Sequence, residues 1–425
     1  MTLPAGTSPM AVPPSSPAAG ASAADDVGCG RSRLSAPRYV SYAGAALWLA
    51  AVQLALLPRW LSAQQFGTVV LGISATQGVL QLGDLGFSRL CIDARRSPHH
   101  QAGLRAEGRS LILLTTAAVT AAAALAWMLL PEQRPVCLAI ALGALAAAAV
   151  STSRFRAAAL EVAGDEQRAA MQNFLWSNAP KIGLVVALPA FRSATAILAT
   201  SVVAGIALCR PAAVRLRLAL AAARRYRQWA YPFISIAAGF VLTWSDTYFL
   251  SAHLGLGAAG AYEAVFRVLG VCSYGFLPWA SVITSRVSVD EASPVRRPLA
   301  AALATTVVAM AGGAVLLSSA GTRLFPRLDL PLDAIPPLVL FYLATTVAAC
   351  VGSALYVRGR LDAVTRASVV GAVTCVAGHA FFTLRGDART AAWVAAGAMG
   401  VNAGLLAVAY RRKAGKGLLR SRARR

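Results

Sequence analysis

Residues 111–130 read LILLTTAAVTAAAALAWMLL and hold no ionisable side chain. A helix rises 1.5 Å per residue, so about twenty apolar residues carry it across a hydrocarbon core roughly 30 Å thick. One such stretch would also suit the interior of a soluble protein, and the rest of the chain decides between the two. Of 425 residues, 57% are hydrophobic and only 13% are charged, whereas ordinary globular domains carry roughly 25% charged residues. Outward from the central run (110–130), apolar stretches recur at 39–57, 67–87, 135–153, 173–191 and 195–209. Beyond a basic connector they resume at 229–250, 260–283, 298–319, 335–357, 363–384 and 390–410. The reading is an all-α, polytopic membrane protein of about twelve spans, with 195–209 the shortest.

The charges test this division. With the N-terminus assigned to the cytoplasm, 31 of the 40 Lys and Arg fall in segments on that side and seven on the other. Two, Lys181 and Arg267, lie within spans. Cytoplasmic loops of membrane proteins carry such an excess, so both termini are expected to face the cytoplasm of a bacterial inner membrane. The expected organisation is a disordered tail at 1–35, a six-helix lobe at 36–209, a basic connector at 210–228, a second six-helix lobe at 229–410 and a basic tail at 411–425. Residues 1–30 are rich in Pro, Ala, Ser and Gly and lack the basic region and apolar core of a signal peptide. Two even-numbered lobes share one orientation, as duplication would give. A short echo supports this: Leu61-Ser62-Ala63 precedes Gly67, and Leu250-Ser251-Ala252 precedes Gly260.

Composition excludes several functions. A net charge of +23 invites a nucleic-acid partner, but no soluble domain exists to gather the arginines into a patch, so none is expected. The seven cysteines are scattered without metal-ligand spacing, so they read as small packing residues, and no metal or cofactor is expected. There is no GxxxxGK[ST] phosphate loop, and the longest outer loop, about 320–334, is too short for a catalytic domain. The chain therefore reads as a helix bundle that moves or holds something, without catalytic residues, rather than an enzyme.

A charge inside a span costs roughly 2.5–3.5 kcal/mol on insertion scales, so each one needs a reason. Lys181 sits in Asn178-Ala179-Pro180-Lys181, where Pro180 removes a helical hydrogen bond and makes a hinge. Two readings stand: Lys181 and Asn178 line a cavity, or Lys181 snorkels to an interface. Asp246, Glu263 and Arg267 fall on two helices that turn near 254–257, with Asp246 and Arg267 expected at similar depth. They either lock the hairpin, or Arg267 binds an anion while Asp246 or Glu263 tunes its charge or takes a coupling cation. His379 reads as a packing residue and Asp84 as a helix-end contact. Trp60, Trp127, Trp229, Trp244 and Tyr248 read as interfacial anchors, and Arg215, Arg217, Arg224, Arg225 and Arg227 as a basic face on anionic lipid.

Residues 244–262, WSDTYFLSAHLGLGAAGAY, continuing to Arg267, resemble the seventh-to-eighth-span region of Wzx-type oligosaccharide flippases. LSAQQFG at 61–67 and LGDLGFS at 82–88 resemble that family's first loop and the end of its second span. The resemblance covers nearly all of the chain after the tail. It implies a MATE/MOP-like fold of two six-helix lobes, and a polyprenyl-diphosphate-linked oligosaccharide moved between leaflets by alternating access for surface polysaccharide assembly. Anionic lipids, a polysaccharide polymerase and glycosyltransferases are the partners implied. Asp246 and Arg267 carry over from the motif, whereas Glu263 departs from a purely cationic pattern. Lys181 rests on the residue reading alone. The rivals are a secondary exporter of drugs or small metabolites and a non-transporting scaffold of a glycan-assembly complex. The loop at 89–109 lacks the Gly-x-x-x-Asp-Arg-x-Gly-Arg pattern of major facilitators.

Overall fold

The computed structural model describes residues 49, 52–53, 56–84, 98–163, 166–209, 230–273, 276, 279–280, 282–283, 287, 295–383 and 386–422. The N-terminal tail, most of the first expected span, the connector with its arginines, and Trp229 lie outside the described residues. The first half contains α1 (Ala63–Asp84), α2 (Pro98–Leu129), α3 (Arg134–Ala163), α4 (Glu166–Ala187) and α5 (Ala194–Cys209). The second contains α6 (Ala230–His253), α7 (Gly255–Ser273), α8 (Arg296–Leu324), α9 (Ile335–Val357), α10 (Leu361–Phe382) and α11 (Ala388–Arg422).

Nine helices among the described residues are long and apolar enough to cross a membrane. The protein is an all-α, polytopic membrane bundle. Two helices fall short of that measure. At 16 residues α5 is too brief, and α4 is diluted by Asn178, Pro180 and Lys181. Several ends depart from expectation. α2 begins at Pro98 rather than 110, α3 runs on to Ala163, and α11 continues through the basic tail to Arg422. Hydropathy marks where lipid ends, but Ala, Leu, Glu and Arg keep a helix going into water.

Inside lipid every polar group needs a partner from the protein. Five threonines find one on their own helix: Thr68, Thr115, Thr243, Thr305 and Thr374 each donate to the carbonyl four residues back. Thr76 also reaches across to Gly143 O at 2.9 Å, joining α1 to α3. A Cβ on Gly143 would sit 2.1 Å from Gly72 O, so the backbones meet there without side chains between them.

Within the first half α3 packs on α1, α2, α4 and α5. Within the second, α11 packs on α9 and α10, and α6 on α10. The halves meet where α1 lies against α7 and α6. Their shared core includes Leu61, Phe66, Val69 and Val70 from the first half and Leu250, Tyr262, Phe266 and Phe341 from the second.

Candidate functional site

The turn between α6 and α7 is made by Gly255, whose φ of +86° suits a residue without a Cβ. The resulting antiparallel hairpin aligns residues equally distant from 254, so Asp246 on α6 faces Tyr262 on α7. The Tyr262 hydroxyl donates to Asp246 Oδ2 at 2.6 Å, and the Thr247 backbone N–H donates to Oδ1 at 2.8 Å. The Thr247 hydroxyl donates to Glu263 Oε1, and Arg267 Nε donates to Glu263 Oε2 at 2.9 Å. Asp246 and Glu263 are both buried, while Arg267 is about a quarter exposed (26%).

The expectation that Asp246 and Arg267 share a depth is corrected. Arg267 lies a turn and more beyond Tyr262, so it pairs with Glu263 on its own helix. Among the described residues no cation pairs with Asp246, and its hydrogen bonds come from neutral donors. Arg267 has a second contact: its Cζ lies 5.3 Å from the Trp244 ring centroid. Its Nη2 has no hydrogen-bond partner among the described residues. Trp244 is therefore no interfacial anchor. Tyr248 also points inward, sharing a 3.0 Å hydrogen bond with Ser74 of α1. Trp60 and Trp127 are exposed, and the Arg134 guanidinium lies 4.7 Å over the Trp127 ring.

A cavity of about 300 Å³ opens beside this network. Phe66, Val70 and Ile73 of α1 and Lys181 of α4 line it from the first half. Trp244, Glu263 and Arg267 line it from the second, with Tyr342 of α9. Two cations from different halves thus face one space. Asn178 is fully buried, and neither it nor Pro180 is among the cavity's walls. Pro180 lies inside α4 immediately before Lys181.

Tyr342 was not singled out from the sequence. Its hydroxyl donates to Phe266 O at 2.7 Å and its ring packs 5.3 Å from Phe266. His379 is buried, stacked on Phe249 at 5.1 Å and hydrogen-bonded through Nδ1 to Thr383 at 2.8 Å, while its Nε2 has no hydrogen-bond partner among the described residues. The Asp84 side chain lies outside the described residues. Cys137, Cys209, Cys350 and Cys375 are free and buried, and no group of His, Cys, Asp and Glu able to hold a metal occurs among the described residues.

No family model and no curated protein matches the chain. Solved structures do. The chain is similar to the lipid II flippase MurJ in an inward closed conformation, with a TM-score of 0.63 at 10% identity, over 88% of this chain and 87% of that one. It is similar to an inward-facing multidrug resistance MATE family transporter of the MOP superfamily, with a TM-score of 0.62 at 15% identity, over 90% and 99%. An outward-facing transporter of that description gives 0.52 at 15% identity, over 89% and 96%. At these identities the shared property is the fold, which this chain has in common with a lipid II flippase and with multidrug resistance transporters.

Proposed function

We propose that the chain carries a polyprenyl-diphosphate-linked oligosaccharide across the bacterial inner membrane by alternating access, for surface polysaccharide assembly. The observation that carries this reading is the placement of Lys181 and Arg267, one from each half, on a single cavity. A diphosphate is anionic and its sugars are polar, so leaving water unaided costs far more than thermal energy. Arg267 lines the cavity with about a quarter of its side chain exposed (26%), and charge-assisted hydrogen bonds are the strong ones. Glu263 holds the guanidinium in place from behind, and Trp244 holds it by its ring face. The lipid tail stays in the bilayer beside the helices. Lys181 and Arg267 repel each other across the cavity, and a bound dianion would draw the halves together.

The resident membrane in this reading is the inner one, with both termini in the cytoplasm. Anionic lipids, a polymerase and glycosyltransferases are the proposed neighbours. A second reading rests on the cavity's other walls. Phe66, Val70, Ile73, Phe266, Val271 and Met399 are apolar, which suits a small amphipathic molecule leaving the cell.

Deletion of the gene decides between them. Loss of surface polysaccharide, with complete lipid-linked units accumulating on the cytoplasmic leaflet, supports flipping. Normal surface glycan without accumulation favours the small-molecule exporter. In the deletion strain, Lys181→Ala and Arg267→Ala are each expected to restore export poorly at normal protein level. One lost charge-assisted hydrogen bond is worth about 1.5–3 kcal/mol, or about ten- to a hundredfold in affinity. Full export by both variants would end the cavity reading.

A further inference from the structure

Seven Lys and Arg fall on the side opposite the basic loops, against the usual bias. Two of them bind the backbone of the opposite half. Arg59, just before α1, donates from Nε to Leu324 O at 3.2 Å, at the end of α8. Arg327, just after α8, donates from Nη1 to Trp60 O at 3.0 Å. Each half thus reaches over and holds the other's backbone. Beneath these exposed arginines Leu61, Phe325 and Leu328 are buried in the shared core.

The same end of the bundle holds a closer contact. A Cβ on Gly67 would lie 1.9 Å from Leu256 O, and one on Gly260 would lie 2.8 Å from Ala63 O and 2.9 Å from Gly67 N. The starts of α1 and α7 therefore touch backbone to backbone. These are the glycines that follow the two copies of Leu-Ser-Ala, so the repeated segments meet each other. The cavity begins level with this seam and runs inward along the same two helices, from Phe66 to Ile73 on α1 and from Glu263 to Ser273 on α7.

We infer that the Gly67–Gly260 contact, strapped by Arg59 and Arg327, is the gate that shuts the cavity from the outer side. The inference rests on the proposed orientation and on movement between the halves, but not on the identity of the cargo. A gate made of backbone against backbone has no side chain to rotate, so it opens only when α1 and α7 separate as bodies. Rocking of one half against the other is the motion this demands. The arginine straps limit how often it occurs while no cargo is bound.

Thr345 lines the cavity and can report the gate. The test places Thr345→Cys in a chain whose seven native cysteines are replaced. A membrane-impermeant maleimide is then applied from the outer side, and the rate of modification is read. Labelling is expected to be slow in this parent and severalfold faster with Gly67→Ala, whose methyl group cannot fit the closed seam. Arg59→Ala combined with Arg327→Ala changes only exposed side chains, so it keeps the test alive if Gly67→Ala fails to fold. It too is expected to speed labelling. Gly397→Ala, where a Cβ meets nothing within 4 Å, serves as the control and should match the parent. Parental rates in both seam variants, at normal expression and monodisperse elution, would overturn the gate. So would a rise seen only from the cytoplasmic side. Since no cargo is added, these outcomes stand apart from the glycan phenotype.

Discussion

Glu263 accepts from Thr247 on one carboxylate oxygen and from Arg267 on the other, with no exposure to solvent. Breaking a buried pair by removing one partner costs about 3–5 kcal/mol, because the remaining charge is left uncompensated. Arg267 is about a quarter exposed towards the cavity, so the low end of that range applies. Glu263→Ala is expected to lower the melting temperature of purified protein, and adding Arg267→Ala should recover part of the loss. A loss in the double variant equal to the sum of the two single losses would show that the pair is not coupled. Tyr262→Phe removes one donor from Asp246 and should cost about 1–3 kcal/mol, the penalty for an unsatisfied buried acceptor. The sequence announced the acids and the arginine, since charges in apolar runs stand out. It did not announce Tyr262, although the hairpin turn at 254 already placed it opposite Asp246. Arg267 was misplaced because the turn was expected near 254–257, whereas α6 ends at His253 and α7 starts at Gly255. Trp244 was misplaced for a different reason. A tryptophan near a span end suits both a lipid interface and a cation, and only packing tells which it meets.

At the level of elements, helix α11 begins on Asp387, whose carboxylate accepts from Thr390 N–H and from the Thr390 hydroxyl, each at 2.8 Å. These bonds hold its carboxyl below the usual aspartate range. The group's folded pKa is depressed, so its contribution is present above the ordinary aspartate pKa and lost as pH falls through the folded value. Asp387 is exposed, so the cap is worth about 1 kcal/mol or less. Asp387→Asn should keep most of the cap and remove its acid sensitivity, measured as melting temperature between neutral and strongly acidic pH. In α4, Pro180 breaks the hydrogen-bond ladder beside Lys181. Pro180→Ala is expected to raise the melting temperature while slowing export, because a straighter α4 no longer presents Lys181 at the same angle. Faster export from this variant would remove the hinge from the mechanism. The apolar runs located these elements well, but the ends were illegible. Alanine-rich sequence carries α3 on to Ala163, and Arg, Lys and Leu carry α11 on to Arg422, without any hydrophobic mark.

For the whole molecule, the all-α membrane bundle was readable from twelve apolar runs, because lipid leaves the chain few other choices. Orientation, read from the charge bias, has its own check. An alkaline phosphatase fused after residue 256 should be active, because it would fold in the oxidising space outside the inner membrane. One fused after residue 360 should be inactive. The reverse pattern would invert the chain and turn the proposed outer gate into an inner one. The meeting of Gly67 with Gly260 was only hinted at by the Leu-Ser-Ala echo. Two segments alike in sequence need not touch, and the backbone approach that joins them leaves no trace in hydropathy.

The straps at that seam are made from guanidinium groups and peptide carbonyls. A guanidinium stays charged at every pH that a cell surface meets, and a carbonyl has no proton to lose. With no acid among their acceptors, these bonds are spared the titration that would weaken a carboxylate partner, and they lose less to added salt than a pair of opposite charges. Read as an outer gate, a closure of this composition keeps its hydrogen bonds in acid and gives up little of them to salt.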